Sequence, residues 1–229
     1  MRAGALGRLL AITPPSGPVN GALVDRWIAA GARRHGLSLL VREITGADPA
    51  TLVRPTGRMA AAMAACQRIG LPCLLSTTAE GALALAVGPL ASRFDGVQVR
   101  GDPTIEALDR IADARPTWIL GRSCHGAPQP GHERVDYTCV APIFPPTTAQ
   151  PGVTKSAIGA AALRGWCEAP GARIFALGGV GPREAPICLD AGAYGLAGIG
   201  LFFGEPARVE EDVAAVCAAL DVRSLPQPR

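Results

Sequence analysis

An α/β fold of the (β/α)8 TIM-barrel type is what the sequence predicts, on three observations. Short apolar runs alternate with longer Ala-rich segments of helical spacing, the pattern of βα units around a parallel sheet. Eight such runs fit into 229 residues, close to the ~250 residues usual for this barrel. The open doubly wound alternative lacks its nucleotide fingerprint, since no G-x-G-x-x-G follows the first run.

The expected strands are "GRLLAIT" (7–13), "LSLLVRE" (37–43), "LPCLLS" (71–76), "DGVQVR" (95–100), "TWILG" (117–121), "VDYTCVAPIF" (135–144), "ARIFALGG" (172–179) and "YGLAGIG" (194–200). Helices are expected over 19–34, 56–69, 78–88, 103–114, 156–168, 182–191 and 206–220. Pro103 and Pro182 stand where a first helical turn accepts proline. The crossover after the fifth strand, "GAPQPGHER" (126–134), holds two prolines and two glycines, so a loop or a single turn is expected there in place of a helix. No linker or low-complexity block divides the chain, and one domain over 1–229 is expected, with a flexible tail from about 222.

Composition narrows the function. Hydrophobic residues make up 48% and charged ones 18%, with a net charge of +3. That balance argues against a nucleic-acid surface, which needs clustered basic residues. The longest apolar span, "GALALAVGPLA", falls far short of the ~20 residues of a membrane crossing, and the start carries no signal-peptide core. The seven cysteines form no C-x-x-C pair and lie mostly in apolar runs, which reads as buried thiols in a reducing, cytoplasmic setting. The Ala-rich helices suit either core packing or contact with a second copy, so a homodimer stays open.

A barrel keeps its chemistry at the C-terminal ends of its strands. The residues expected there include Thr13, Arg42, Glu43, Ser76, Thr77, Gln98, Arg100, Arg122, Ser123 and His125. Arginines and glycine turns suit an anionic small molecule. The "LGGVGP" turn after the seventh strand and "GIG" after the eighth match the barrel's usual phosphate site, where bare backbone N–H groups meet phosphate oxygens. Gly178, Gly179, Ile199 and Gly200 are the expected phosphate-binding residues, with a short helix from "GLFFGEP". His125 suits general acid–base work, its ordinary pKa lying near ~6.5. Cys124 shows no activating partner in sequence, and His35 and His132 are expected at the surface. Glu43 and Asp102 are the nearest carboxylates and make no clustered pair for Mg²⁺.

These stretches, in order, resemble the thiamine phosphate synthase family: "LLAIT", "LLVRE", "GVQV", "LGRSCHG", "DYTCVAPIFPPT", "IFALGGVGP" and "AGAYGLAGIGLFF". The resemblance spans nearly the whole chain and is most specific at "APIFPPT", "ALGGVGP" and "AGAYGLAGIG". It implies a barrel serving one of two activities in thiamine biosynthesis. One is an Mg²⁺-dependent synthase joining a pyrimidine pyrophosphate to a thiazole phosphate. The other is a metal-free thiazole tautomerase that isomerises a carboxylated thiazole phosphate.

The synthase pattern Gln-x-Arg-x-Lys reads Leu40, Val41, Arg42, Glu43, Ile44, so only the arginine is kept. Ser76 and Thr77 stand where the synthase carries Asn-Asp with its metal ligand, and Gln98 stands where histidine is usual. The loop after the sixth strand reads "PPTTAQ", with Thr147 and Thr148 but not the family's lysine, and Lys155 comes later. Losing those groups removes electrostatic help for a departing pyrophosphate. The tautomerase branch resembles "GRSCHG" closely, including the histidine assigned as its acid–base group. The resemblance therefore implies an isomerase with His125 catalytic. Arg42, Gln98, Arg122, Ser123, Thr147 and Thr148 are then substrate-binding, and no cofactor or metal is needed. Its partner is a small phosphorylated heterocycle. The synthase, needing Mg²⁺, and a silent phosphate-binding barrel are the alternatives.

Overall fold

The computed structural model describes residues 6–15, 19–42, 57–145 and 156–223. Eight parallel strands, β1 to β8, close into a barrel in sequence order, with β1 paired to β8. They are Leu9–Ile12, Leu37–Arg42, Cys73–Thr77, Gly96–Val99, Ile119–Cys124, Tyr137–Val140, Ile174–Ala176 and Gly195–Gly198. Helices α1 to α8 are Ala22–Ala29, Ala60–Ile69, Ala79–Val87, Ile105–Ala114, Gly159–Cys167, Ala185–Asp190, Gly200–Phe203 and Pro206–Val222.

Strand alternation sorts side chains into two shells. Leu10, Leu40, Leu74, Ile119, Tyr137 and Phe175 fill the barrel interior. Leu9, Leu39, Leu75, Val97, Leu120 and Ile174 pack outward beneath the helices. The interior is tight enough to demand glycine: a Cβ on Gly121 would come within 2.1 Å of the Tyr137 ring. Tyr137 in turn lies edge-on to Phe175, with centroids 5.3 Å apart.

Helix starts follow local chemistry. Thr78 and Thr104 accept from the N–H groups of Gly81 and Ala107, capping α3 and α4. Between β5 and β6 only a 3-10 turn, His132–Arg134, forms, as the prolines and glycines of 126–134 require. Helix α8 reaches Val222, and residues 224–229, where the tail is expected, lie outside the described ones. Strand β5 runs to Cys124, three residues beyond its expected end at 121. All seven cysteines are free thiols. Among the described residues no helix is long and apolar enough to cross a membrane.

Candidate active site

Two parts of the C-terminal rim carry polar groups, and they are built differently. At the ends of β7 and β8 lies a cavity of about 310 Å³ walled by Gly178, Gly179, Gly181, Ile199 and Gly200. Gly178 and Gly179 have φ of 92° and 64°, a region that glycine enters without strain. A Cβ on Gly178 would lie 2.7 Å from Pro142, and one on Gly179 2.5 Å from the Pro145 carbonyl. The glycines thus bring bare main chain to the cavity wall. Helix α7 begins at Gly200 and is held in place by Trp27, whose Nε1 donates to the Phe202 carbonyl at 2.9 Å.

Among the described residues, the charged lining of this cavity is acidic, from Glu184 and Asp212. Glu184 Oε2 accepts from the Gly181 N–H at 3.1 Å. Among the described residues, the wall of this cavity offers main chain and the start of α7 and no side-chain cation.

At the ends of β4 and β5 the polar groups are side chains. The lower rung is Gln98, 3% exposed. Its Oε1 accepts from the Tyr137 hydroxyl at 3.0 Å and the Cys139 thiol at 3.3 Å, and its Nε2 donates to Ser123 Oγ at 2.8 Å. These partners orient the amide and hold Ser123 at the mouth. The upper rung is His125 with Asp102. The carboxylate Oδ1 accepts from the His125 backbone N–H at 3.1 Å, and Oδ2 lies 3.2 Å from His125 Nδ1. Both side chains are partly open, at 36% and 40% exposure. The cavity at β7 and β8 is lined by neither rung. The two parts lie on different strands of one rim.

Arg122 is not at the mouth. Its position in β5 turns it to the outer face, where it is 2% exposed. There Nε donates to Thr138 Oγ1, Nη1 to the Pro130 carbonyl at 2.6 Å and Nη2 to the Gln129 carbonyl at 3.2 Å. The guanidinium replaces the missing crossover helix as the support of the loop after β5. It is a structural residue and not a ligand group.

Arg42 does stand at the mouth, at the end of β2 and level with Ser76 of β3. Burial, and then the neighbouring charge of Arg100, hold its guanidinium below the ordinary arginine range. Among the described residues, the β2–β4 side of the mouth thus carries two arginines, Arg42 and Arg100. Thr147, Thr148, Glu43 and Lys155 lie outside the described residues.

Mg²⁺ does not suit the described donor set. No three of His, Cys, Asp and Glu gather among the described residues. Strand β3 ends in Ser76 and Thr77, and arginines stand nearby where carboxylate oxygens would be needed.

Burial pushes the Cys124 thiol up to about 11, so it stays protonated at neutral pH and is no nucleophile. His132 is expected at the surface but is only partly exposed. It packs edge-on to Trp166, Nδ1 lies 3.4 Å from Thr138 Oγ1, and burial lowers its pKa, helped by Arg122. His35 is also largely covered, beside Asp221 at 3.3 Å.

Asp102 beside His125, and Gln129 beside Asp102, are not among the residues expected at the site. The signal for Asp102 was present in "RGDP": a short acid after a glycine, two residues beyond the last rim position of β4, tolerates the left-handed turn that points it across to β5.

The family described as "Thiamine monophosphate synthase" matches residues 29–202. A thiamine-phosphate synthase of Mycolicibacterium smegmatis is 31% identical over 152 residues, which cover 64% of this chain and 63% of that protein. The chain thus spans under two thirds of that relative's length. A thiamine-phosphate synthase of Salinispora tropica is 28% identical over 196 residues, covering 86% and 89% of the two chains. Among solved structures, thiamine phosphate pyrophosphorylase from Pyrococcus furiosus superposes with a TM-score of 0.67 over 94% of this chain and 96% of that one, at 19% identity. That likeness speaks for the shared barrel.

Proposed function

The chain belongs to the thiamine monophosphate synthase family, and on that premise we propose that it is an isomerase of the thiazole tautomerase type, moving a proton on a carboxylated thiazole phosphate. The observation that carries this reading is His125. It stands at the rim of the barrel that holds the glycine cradle, oriented through Nδ1, among described residues that gather no metal-binding acids.

The phosphoryl group sits against Gly178, Gly179 and Gly200, where main-chain N–H groups meet its oxygens. The ring carboxylate faces the arginine side of the mouth, at Arg42. With Nδ1 turned to Asp102, the exchanging nitrogen of His125 is Nε2. It removes a carbon-bound proton from the non-aromatic ring, and the electron pair passes through the ring as a proton is returned at the second position. The substrate gains aromaticity and the imidazole ends neutral, so the cycle closes without a co-reactant. Gln98 and Ser123 form the polar floor against which the ring is oriented.

The relatives' names favour a second reading, the transferase that makes thiamine phosphate from its two halves. The two are separated by one pair of assays on the purified chain. The isomerase reading expects turnover of the carboxylated thiazole phosphate in excess chelator. It also expects a loss of at least ~100-fold in His125→Ala, with circular dichroism and melting temperature unchanged. Thiamine phosphate formed from the pyrimidine pyrophosphate and thiazole phosphate with Mg²⁺, and no isomerisation, establishes the transferase instead.

A further inference from the structure

Resting on the proton-shift reading, we propose that Asp102 is the positioning residue of His125, selecting the tautomer that leaves the proton-accepting lone pair on Nε2. Three observations carry this. First, both carboxylate oxygens face His125, Oδ1 its backbone N–H at 3.1 Å and Oδ2 its Nδ1 at 3.2 Å. A carboxylate is an acceptor only, so the ring nitrogen facing it carries the hydrogen.

Second, Asp102 is the only residue other than glycine with positive φ among the described ones, at 51°. Such backbone persists where the surroundings hold it, and it clusters at functional sites. The preceding Gly101, with φ of 87°, completes a turn that carries the carboxylate from the end of β4 to the end of β5. Third, the ordinary structural duty of an acid before a helix is already filled. Thr104 caps α4 by accepting from the Ala107 N–H. The carboxylate is instead braced from the other side: Gln129 Nε2 stands 3.5 Å from Oδ1, and the Gln129 carbonyl is held by Arg122. The loop that replaced the crossover helix thus supports the acid that orients the base.

Asp102→Asn tests the assignment. Its amide keeps the shape and tolerates the turn, but presents an N–H to Nδ1 and so favours the opposite tautomer. In ¹⁵N-histidine-labelled protein at a pH where His125 is neutral, the wild type is expected to show a pyrrole-like Nδ1 and a pyridine-like Nε2, with His125 assigned by the signals lost in His125→Gln. Asp102→Asn reverses that pattern, and Asp102→Gly, which suits the positive φ, leaves both tautomers populated. In turnover, Asp102→Asn lowers kcat on the order of 10- to 100-fold with KM within about twofold, and Asp102→Glu recovers part of the loss.

An unchanged ¹⁵N pattern in both Asn and Gly variants overturns the assignment, whatever the activity. A reversed pattern in a protein that turns over no thiazole phosphate keeps the positioning role and removes the isomerase reading instead.

Discussion

The β7–β8 and β4–β5 parts of the rim reach similar ends by opposite means. At β7 and β8 the cavity wall is main chain, opened by Gly178, Gly179 and Gly200. At β4 and β5 the polar groups are side chains, His125 against Asp102 above and Ser123 against Gln98 below. Each is pinned from outside by a buried indole: Trp27 Nε1 on the Phe202 carbonyl at 2.9 Å, and Trp166 Nε1 on the Gly126 carbonyl at 3.0 Å. A main-chain cradle depends on local glycine spacing. A side-chain pair depends on two strands standing in one register, because His125 and Asp102 lie 23 residues apart.

Breaking the support of one part should leave the other intact. The largest effect is expected from Arg122→Met, which strands the Pro130 and Gln129 carbonyls and Thr138 without their donor. A loss of about 3 kcal/mol in urea unfolding is expected, at 1–3 kcal/mol for each buried group left unpaired. Inorganic phosphate binding at β7–β8 should be unchanged. Equal loss of phosphate affinity would show that the two parts are not independent.

Gly179→Ala attacks the other side. Its φ of 64° and the closeness of Pro145 and Phe144 leave no room for a methyl group. A stability loss of about 1–3 kcal/mol is expected, with phosphate affinity down at least about tenfold. The ¹⁵N tautomer pattern of His125 should not move. Wild-type phosphate binding in this variant would mean that the cradle is not made by this backbone.

The smallest effect is a pH dependence of the β5–β6 support. Burial, and then Arg122, lower the pKa of His132. The unfolded chain therefore takes up a proton near the ordinary histidine value of ~6.5 while the folded chain resists until lower pH. Stability is complete above that value and declines as pH falls from it toward the lowered folded pKa. His35, lowered chiefly by burial although Asp221 opposes it, adds a decline of the same sign at the other end of the barrel. His132→Gln should lessen the fall of melting temperature between pH 7.5 and 5.5. An unaltered slope would remove His132 from the account.

Much of this was legible along the chain. The alternation of apolar runs with Ala-rich segments placed all eight strands, and the prolines and glycines of 126–134 identified the crossover without a helix. The cradle was legible for the same reason: tight turns that need glycine record that need at the position itself. Arg122 was misplaced because the apolar run ended at Gly121, whereas pairing with β6 carries the strand on to Cys124. Three more strand residues put Arg122 on the outward parity, under the loop and away from the mouth.

The sequence by itself determined the barrel, its glycine turns after β7 and β8 and a histidine at the end of its fifth strand, because each of these is a local pattern of period, glycine or position. Only the tertiary structure decided which side chains face one another across neighbouring strands. It gave His125 an acid from the turn after β4, turned Gln98 toward Ser123 and took Arg122 out of the site. Those outcomes follow from strand register and parity, which arise when the sheet closes and which a single strand read alone does not contain.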